Sequence, residues 1–256
     1  MAGKDSKFIL IFLSALFAIG VLATGCSTRD PELIKQASLN YDLGVMLLNK
    51  SDYPGAIQRL SAAERMNPDD ALTYNALGLA YYGEGMKSQA EASYKKATGL
   101  NKNYSDAYNN LGVLYLSDSK WDDAINAFHS ALANPLYMSP HIAWVNIGWA
   151  YYQKGQLDRA QKAYQSAIDI VPDLPIAHNN MGLIYLRKNM LQHAEYEFKT
   201  AIYYYKGYAE AHLNLGVAYM KGRNYTEARN QFETVLKVAP ESPFAADAKK
   251  YIKMLR

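Results

Sequence analysis

A short segment of small and apolar residues returns six times along this chain, and its spacing constrains the fold more than any other feature. Each copy carries a glycine at the same place, namely Gly44, Gly78, Gly112, Gly148, Gly182 and Gly216. The steps between successive glycines are 34, 34, 36, 34 and 34 residues. Twelve residues after each glycine comes an alanine, at Ala56, Ala90, Ala124, Ala160, Ala194 and Ala228. A repeated unit of this length cannot bury its apolar face alone, so the copies must stack side by side.

Small and large residues alternate at fixed places within each unit, which indicates two closely packed helices. Helices approach closely only where a small residue removes the side chain between them, and the glycine and the alanine supply one such residue on each helix. Large residues follow one turn later, on the second helices at Leu60, Tyr94, Phe128, Tyr164, Phe198 and Phe232. Because a glycine inside a helix costs ~1 kcal/mol relative to alanine, its regular return indicates that packing outweighs helix propensity.

The 34-residue period with these markers resembles the tetratricopeptide repeat (TPR), a helical hairpin that stacks into a solenoid. We therefore predict an all-α fold, a right-handed TPR solenoid of six helical hairpins in residues 36–242 with a C-terminal capping helix in residues 243–256. The predicted repeats span residues 37–70, 71–104, 105–138, 141–174, 175–208 and 209–242. In the capping segment, apolar residues recur at helical spacing, at Phe244, Ala248, Tyr251, Ile252 and Leu255, as the end of a solenoid requires.

The period is broken once, between the third and fourth repeats, where two residues are added in a segment that contains Pro135 and Pro140. Two prolines so close together prevent a continuous helix. We predict an irregular exposed loop that offers Leu136, Tyr137 and Met138 to a partner. The alternative is an insertion without a role, because loops tolerate added residues well.

The first 25 residues have the pattern of a bacterial secretory signal peptide. Lys4 and Lys7 precede an apolar run of 15 residues, which is shorter than the ~20 residues needed to cross a bilayer. Small residues then lead directly to Cys26. This order resembles the lipobox of bacterial lipoproteins, although Ala23 stands where the commonest lipobox has leucine. The alternatives are an ordinary signal peptide and a weak anchor helix.

Cys26 is the only cysteine, so no disulfide forms within the chain. We predict that Cys26 is acylated and that residues 26–35 hold the acylated cysteine and a tether. In the lipoproteins that this segment resembles, a serine after the cysteine, here Ser27, permits sorting to the outer membrane, so the periplasmic face of that membrane is the expected location. Loss of residues 1–25 removes two lysines and one aspartate, which lowers the formal net charge from +3 to +2. A nearly neutral chain gives no electrostatic reason to expect a nucleic-acid partner.

One face of the first helices is the candidate binding site. TPR proteins bind partners on the concave surface that these helices line, and repeat positions 5, 9 and 12 share a face because they are four and three residues apart. The stripe is mostly apolar, and we predict a partner-binding groove at Val45, Leu48, Leu79, Tyr82, Asn109, Val113, Leu116, Trp149, Tyr152, Leu183, Leu186, Val217 and Met220. Such a groove fits an amphipathic helix or an apolar segment of a protein partner. The alternative is that curvature closes the groove and buries these residues as core.

Charged and polar residues near this stripe do not indicate another ligand. Only Arg187 and Lys221 lie beside it, which argues against a clamp for a terminal carboxylate. The asparagines at repeat position 6 are expected to bond across neighbouring helices, at Asn110, Asn146, Asn180 and Asn214.

Catalytic and metal-binding patterns are not found in the sequence, and we predict neither enzymatic activity nor a cofactor or metal site. None of the five histidines stands at metal-ligand spacing from a cysteine or a carboxylate. His178 and His212 hold the same repeat position and are predicted to pack between helices. No glycine-rich phosphate loop and no nucleophile elbow is present in the sequence.

The lipobox, the short tether, the six repeats and the irregular join together resemble the type IV pilus biogenesis lipoproteins of the PilF/PilW and Tgl family. Leu136 and Tyr137, followed by a proline and a new first helix, look like the join in that family. The resemblance implies a pilotin, an adaptor that helps the outer-membrane secretin to reach its membrane or to assemble there. Two alternatives remain, an NlpI-like outer-membrane adaptor that scaffolds peptidoglycan hydrolases or proteases, and an enzyme accessory whose groove binds a glycan or peptide.

Overall fold

The computed structural model describes residues 30–255, and the predicted signal peptide and the predicted acylation site Cys26 lie outside this range. Within it the chain forms thirteen α-helices and no strand. The helices are α1 (Pro31–Asn49), α2 (Tyr53–Met66), α3 (Ala71–Gly83), α4 (Lys87–Leu100), α5 (Ser105–Ser117), α6 (Trp121–Leu132), α7 (Pro140–Gln153), α8 (Leu157–Ile170), α9 (Pro175–Arg187), α10 (Leu191–Tyr204), α11 (Ala209–Lys221), α12 (Tyr225–Val238) and α13 (Pro243–Met254).

The helices pack in chain order as a solenoid of hairpins. Each odd-numbered helix from α1 to α11 packs on the helix that follows it, and that second helix packs on the next first helix. Neighbouring first helices, such as α5 and α7, also touch one another, whereas neighbouring second helices within the described residues do not. The first helices therefore line the inner, concave side of the array, and the second helices lie on its outer side.

The repeated glycine is the point at which the two helices of each hairpin meet. A Cβ atom built on Gly148 would lie 2.5 Å from the ring of Tyr164, which is fully buried. At Gly216 it would lie 2.5 Å from the ring of Phe232. These distances confirm that the glycines are kept by close approach, because a real Cβ would have to displace a rigid buried ring.

The helical part of the chain begins earlier than the sequence analysis predicted. Residues 31–35 belong to α1, and only the residues before Pro31 remain for a tether. The reason is local, because the Asp30 carboxylate accepts a hydrogen bond of 2.9 Å from the backbone N–H of Glu32. Pro31 at the first helical position has a fixed φ and needs no donor there.

The join between repeats three and four is an irregular segment between α6 and α7. Leu136 and Met138 are 81% and 90% exposed, as predicted for an exposed loop. Tyr137 departs from that prediction, because it is half-buried and packs against the core of repeats three and four. Burial raises the pKa of Tyr137 to about 12. The loop therefore offers two side chains, and the third fixes it to the solenoid.

The C-terminal helix α13 covers the end of the stack. Ala245 and Ala248 are buried, and the Tyr251 ring stacks on Phe232 with centroids 5.0 Å apart. The Arg229 guanidinium donates a hydrogen bond of 2.8 Å to the carbonyl of Leu255. None of the helices in residues 30–255 combines the length and the apolarity needed to cross a membrane.

Candidate partner-binding groove

The predicted stripe on the first helices has a buried floor and a partly exposed rim. At position 5, four of the six side chains are buried, namely Asn75, Val145, Asn179 and Leu213. At position 9, Leu79 and Trp149 are exposed, and the other four side chains are half-buried. At position 12 all are half-buried except Leu186, which is buried in the core beside repeat six. Positions 9 and 12 are therefore mostly surface, as a partner-binding groove requires. Position 5 is mostly core, as the alternative of a closed groove predicts.

A cleft of about 440 Å³ lies between the first two repeats, lined by α1 and α3 together with Tyr53 of α2. It brings together four of the predicted groove residues, Val45, Leu48, Leu79 and Tyr82. Farther along, Val113 and Leu116 pack beside the core of repeats three and four. Leu183, Val217 and Met220 pack beside the core of repeats five and six. A defined cleft is thus present at the N-terminal end of the groove, and the groove residues farther along pack beside the core.

Three side chains in the middle of the concave side stack on one another. The rings of Trp149 and Tyr152 lie 5.7 Å apart and 16° from parallel. The Arg187 guanidinium lies 5.2 Å from the centroid of the Tyr152 ring and donates a hydrogen bond of 3.3 Å to the Tyr152 carbonyl. Trp149 remains 37% exposed at the open end of this stack. The stack fixes a large aromatic surface that faces the groove.

Asparagines tie the first helices together beneath the groove. The side-chain amide of Asn110 donates to the side-chain oxygen of Asn75 at 3.0 Å, and Asn214 donates to Asn179 in the same way at 3.0 Å. These bonds confirm the predicted role of Asn110 and Asn214 across neighbouring helices. Asn179 also donates to the Glu210 carboxylate at 3.2 Å, so its buried amide is bonded on both sides.

This pattern is interrupted at the third repeat. The side-chain oxygen of Asn109, at the same repeat position as Asn75 and Asn179, is buried and has no hydrogen-bond partner among the described residues. The two added residues of the join follow this repeat. The floor of the groove is therefore fully bonded in repeats two and five and incompletely bonded in repeat three.

His178 and His212 pack between helices, as predicted, and each is also held by two hydrogen bonds. Nδ1 of His178 lies 2.7 Å from a Glu197 carboxylate oxygen, and its Nε2 lies 3.0 Å from the Pro172 carbonyl. Burial lowers the pKa of His178, but the bonds to Glu197 and Pro172 and the charge of Glu197 outweigh burial, so the pKa is raised above its ordinary value. His212 has the same geometry with an amide, because its Nδ1 lies 2.7 Å from the side-chain oxygen of Gln231.

Part of the groove rim lies outside the predicted stripe. Repeat position 2 lies seven residues before position 9, on the same helical face. Three of its side chains are large, apolar and exposed, namely Leu72, Ile142 and Ile176. The spacing of seven residues from position 9 could have identified them, but the predicted stripe includes only positions 5, 9 and 12. The contact of His178 with Glu197 was not predicted either, because 19 residues separate the two.

No group of three histidine, cysteine, aspartate or glutamate side chains in residues 30–255 is placed to hold a metal ion. The concave side is instead apolar and aromatic, with hydrogen-bonded polar side chains in its floor. Such a surface is suited to contact with another protein.

Comparison with known families agrees with this architecture. Models of the TPR repeat match residues 44–85 and 148–189, and further tetratricopeptide repeat models match residues 75–141 and 209–242. The chain is therefore a tetratricopeptide-repeat protein, and TPR proteins bind protein partners. TPR scaffolds are generally not enzymes.

Among solved structures, the fold is similar to those of PilF and PilW. PilF of Pseudomonas aeruginosa aligns with a TM-score of 0.73 at 16% identity, over 86% of this chain and 99% of its own. PilW, a widely conserved type IV pilus biogenesis factor, aligns with a TM-score of 0.75 at 20% identity, over 83% of this chain and 98% of its own. At these identities the likeness concerns the fold.

Curated relatives share only a part of their length with this chain. The chloroplast TPR protein PYG7 of Arabidopsis thaliana is 34% identical over 96 residues, which is 36% of this chain and 32% of that protein. The chain thus spans about a third of this relative, and the match covers repeats rather than a whole protein.

Proposed function

We propose that this protein is an outer-membrane lipoprotein that acts as a pilotin, with Cys26 acylated and the concave groove holding an apolar helical segment of a type IV pilus secretin subunit. The single observation that carries the binding site is the Trp149–Tyr152–Arg187 stack. The fold-level likeness to PilF and PilW, over nearly the whole length of both, supports the pilus assignment. Leu136 and Met138, which are exposed in the loop between α6 and α7, offer a second apolar contact.

The composition of the stack favours protein recognition. Tryptophan, tyrosine and arginine are the residue types that dominate binding energy at protein interfaces. In this stack Tyr152 and Arg187 are already held by each other, so little side-chain freedom is lost when a partner binds. The exposed apolar residues Leu72, Ile142 and Ile176 widen the surface along the same face, as an amphipathic helix would require.

The anchor follows from the N-terminal sequence. Small residues precede Cys26, and no other cysteine exists for thiol chemistry. A single acyl chain gives only marginal membrane binding, and stable anchoring needs more than one. The triply acylated cysteine of bacterial lipoproteins meets this need, and the solenoid then presents its groove near the membrane in which the secretin must assemble.

The test is a pull-down from detergent-solubilised outer membranes, with the full chain as bait and mass spectrometry of what co-purifies. The variant Trp149→Glu/Tyr152→Glu should lose the secretin subunit, because it places charges in the apolar stack. The matched control is Tyr196→Glu/Tyr203→Glu, which changes two exposed tyrosines of α10 outside the groove and should retain it. Circular dichroism checks that each variant keeps its helical content.

A milder change separates binding from folding. Trp149→Ala removes one partly exposed ring, and we expect it to weaken binding by about 2 kcal/mol or more, about 30-fold in Kd. Recovery of peptidoglycan hydrolases or a protease without any secretin would reject the pilotin and favour the NlpI-like adaptor. Loss of helical content in the glutamate variant, with normal binding by Trp149→Ala, would show that these residues are core rather than a binding site.

A further inference from the structure

The first helix exposes a face that every later first helix buries. Repeat positions 3, 7 and 10 lie on the side that packs against the preceding second helix. In repeats two to six these fifteen side chains are all buried, and the most exposed of them, Leu111, reaches only 6%. In repeat one the same positions hold Leu39, Leu43 and Met46, which are still apolar, although no repeat precedes them. Leu39 is 59% exposed and Met46 is 44% exposed.

The two ends of the solenoid are therefore finished differently. At the C-terminal end, α13 covers the last repeat and turns Lys249, Lys250 and Lys253 outward. At the N-terminal end, no described element covers the stripe of Leu39, Leu43 and Met46, hereafter the α1 stripe. Leu33 and Ile34 add exposed apolar surface at the start of the same helix.

The length of chain that precedes α1 identifies what can lie against the α1 stripe. Only four residues separate Cys26 from Pro31, and a fully extended chain spans about 18 Å over that distance. If Cys26 carries the acyl anchor, α1 must begin within that distance of the lipid. The helix itself is about 28 Å long, so α1 can lie along the membrane surface with its stripe against the lipid.

We infer that the α1 stripe rests on the lipid leaflet that holds the acyl anchor. This inference depends on the proposed acylation of Cys26. The leaflet supplies an apolar surface at the required distance, and a tethered helix needs little additional affinity because its effective concentration at the membrane is high. The solenoid then stands on its first helix, with the groove held in a fixed orientation to the membrane.

Charge and size favour the leaflet over other occupants. Asp30, Glu32 and Asp42 outnumber Lys35 and Lys50 by one charge along α1, so no positive excess draws the helix to lipid headgroups. The contact is therefore apolar and should not weaken with added salt. A second copy of the chain could offer its own α1, but a stable protein interface uses about 20 residues on each side. The α1 stripe supplies three.

The test places a tryptophan on the stripe and measures its contact with lipid. The chain from Cys26 to Arg256 is coupled through its only thiol to a maleimide-bearing lipid in phosphatidylcholine vesicles. Leu39→Trp should gain emission that shifts to shorter wavelength on the vesicles and is quenched when the acyl chains are brominated. Met254→Trp, at an exposed apolar position on α13, is the matched control and should show neither change. Both variants are compared with the unsubstituted chain, whose three tryptophans give the background.

The remaining outcomes overturn the inference. If brominated lipid does not quench the emission of Leu39→Trp, the stripe does not touch the leaflet. If both variants are quenched equally, the contact is not specific to α1. A blue shift that depends on protein concentration without vesicles assigns the stripe to a second copy. Met46→Trp repeats the test if Leu39→Trp fails to fold. Mass spectrometry of the N-terminus of the full chain, produced in a bacterium, separately tests the acylation, because an unmodified Cys26 rejects the proposed anchor whatever the vesicles show.

Discussion

At the junction between repeats five and six, polar side chains tie the two first helices and the connecting loop together. Asn179 bonds to Asn214, and His212 bonds to the carbonyl of Lys206 in the loop. Between repeats three and four the described residues form neither of these two bonds, although Lys154 at the end of α7 pairs with Asp122 of α6. At that junction the histidine position holds Trp144, which meets the ring of His129 edge-on at 5.8 Å. Asn109 there keeps a buried oxygen without a partner in the described chain.

This difference shows what the two added residues change. Helices α6 and α7 still pack against each other, so the apolar stack is continuous through the break. The asparagine bond joins residues 35 apart, whereas Asn109 and Asn146 are 37 apart across the step of 36, and in the described residues the Asn109 oxygen accepts no bond. The exposed loop lies at this junction, whereas the Trp149 stack lies one step farther on and joins repeats four and five. The irregular junction therefore has fewer polar ties and exposes the apolar side chains of Leu136 and Met138.

The largest expected effect tests whether the difference is limited to the junction. Phe128 in repeat three and Phe198 in repeat five are both fully buried. A Cβ atom built on the glycine of the same repeat would lie 2.5 Å from the ring in both cases. Phe128→Ala and Phe198→Ala should each lower the free energy of unfolding by about 3–5 kcal/mol. Urea denaturation followed by circular dichroism measures both. A much smaller loss for Phe128→Ala would mean that repeat three is loosely packed throughout, and the comparison would fail.

A smaller effect is expected to distinguish Asn179 from Asn109, which occupy the same repeat position. Asn179→Ala leaves Asn214 and Glu210 without a buried partner and should cost about 1–3 kcal/mol of unfolding free energy. Asn109→Ala removes an oxygen that is already unpaired, so stability should stay within about 0.5 kcal/mol or rise. The same urea titration measures both, and equal losses would contradict the unequal bonding of the two junctions.

The smallest effect is a pH dependence within the regular region. Because the folded pKa of His178 is raised, its contribution to stability is complete below the unfolded value of ~6.5 and is lost as pH rises through the folded pKa. In Glu197→Gln an amide replaces the carboxylate. The amide N–H₂ can donate a hydrogen bond to the neutral imidazole, so the variant does not favour the charged form of His178. The stability advantage of the wild type over this variant should therefore shrink as pH rises.

The reciprocal change in repeat six is the control for this prediction. Gln231→Glu gives His212 the carboxylate partner that His178 has, so it should add stability at low pH that disappears as pH rises. Thermal unfolding over a pH series measures both variants. A wild-type advantage over Glu197→Gln that stays constant with pH would show that His178 does not change its charge.

The sequence predicts the helical repeats well because their markers are short-range. In every repeat a large residue stands 16 positions after the glycine, as Tyr164 does after Gly148. The structure shows the same close contact between the two in all six repeats. The start of α1 was predicted too late, because Asp30 and Pro31 act as a local cap outside the repeat pattern. The burial of Tyr137 could not be predicted, because the loop conformation depends on the core beneath it.

The candidate groove was predicted less completely than the fold. Spacing placed Trp149 and Tyr152 on one face, but the contribution of Arg187 comes from the next repeat, 35 residues away from Tyr152. The unequal bonding of Asn109 and Asn179 is likewise invisible in the sequence, since both occupy the same repeat position. The difference arises from how the neighbouring repeat is placed, which only the packed structure determines.

The proposal that the concave surface around Trp149 holds the partner is tested most directly by placing the photo-crosslinking residue p-benzoylphenylalanine at Trp149 in the full chain, in cells that assemble type IV pili. The same residue at Tyr196 on α10 is the control. After irradiation, we expect a covalent adduct between position 149 and a secretin subunit, and no such adduct from position 196. A secretin adduct from position 196 without one from position 149, or none from either, would show that the partner does not bind this surface.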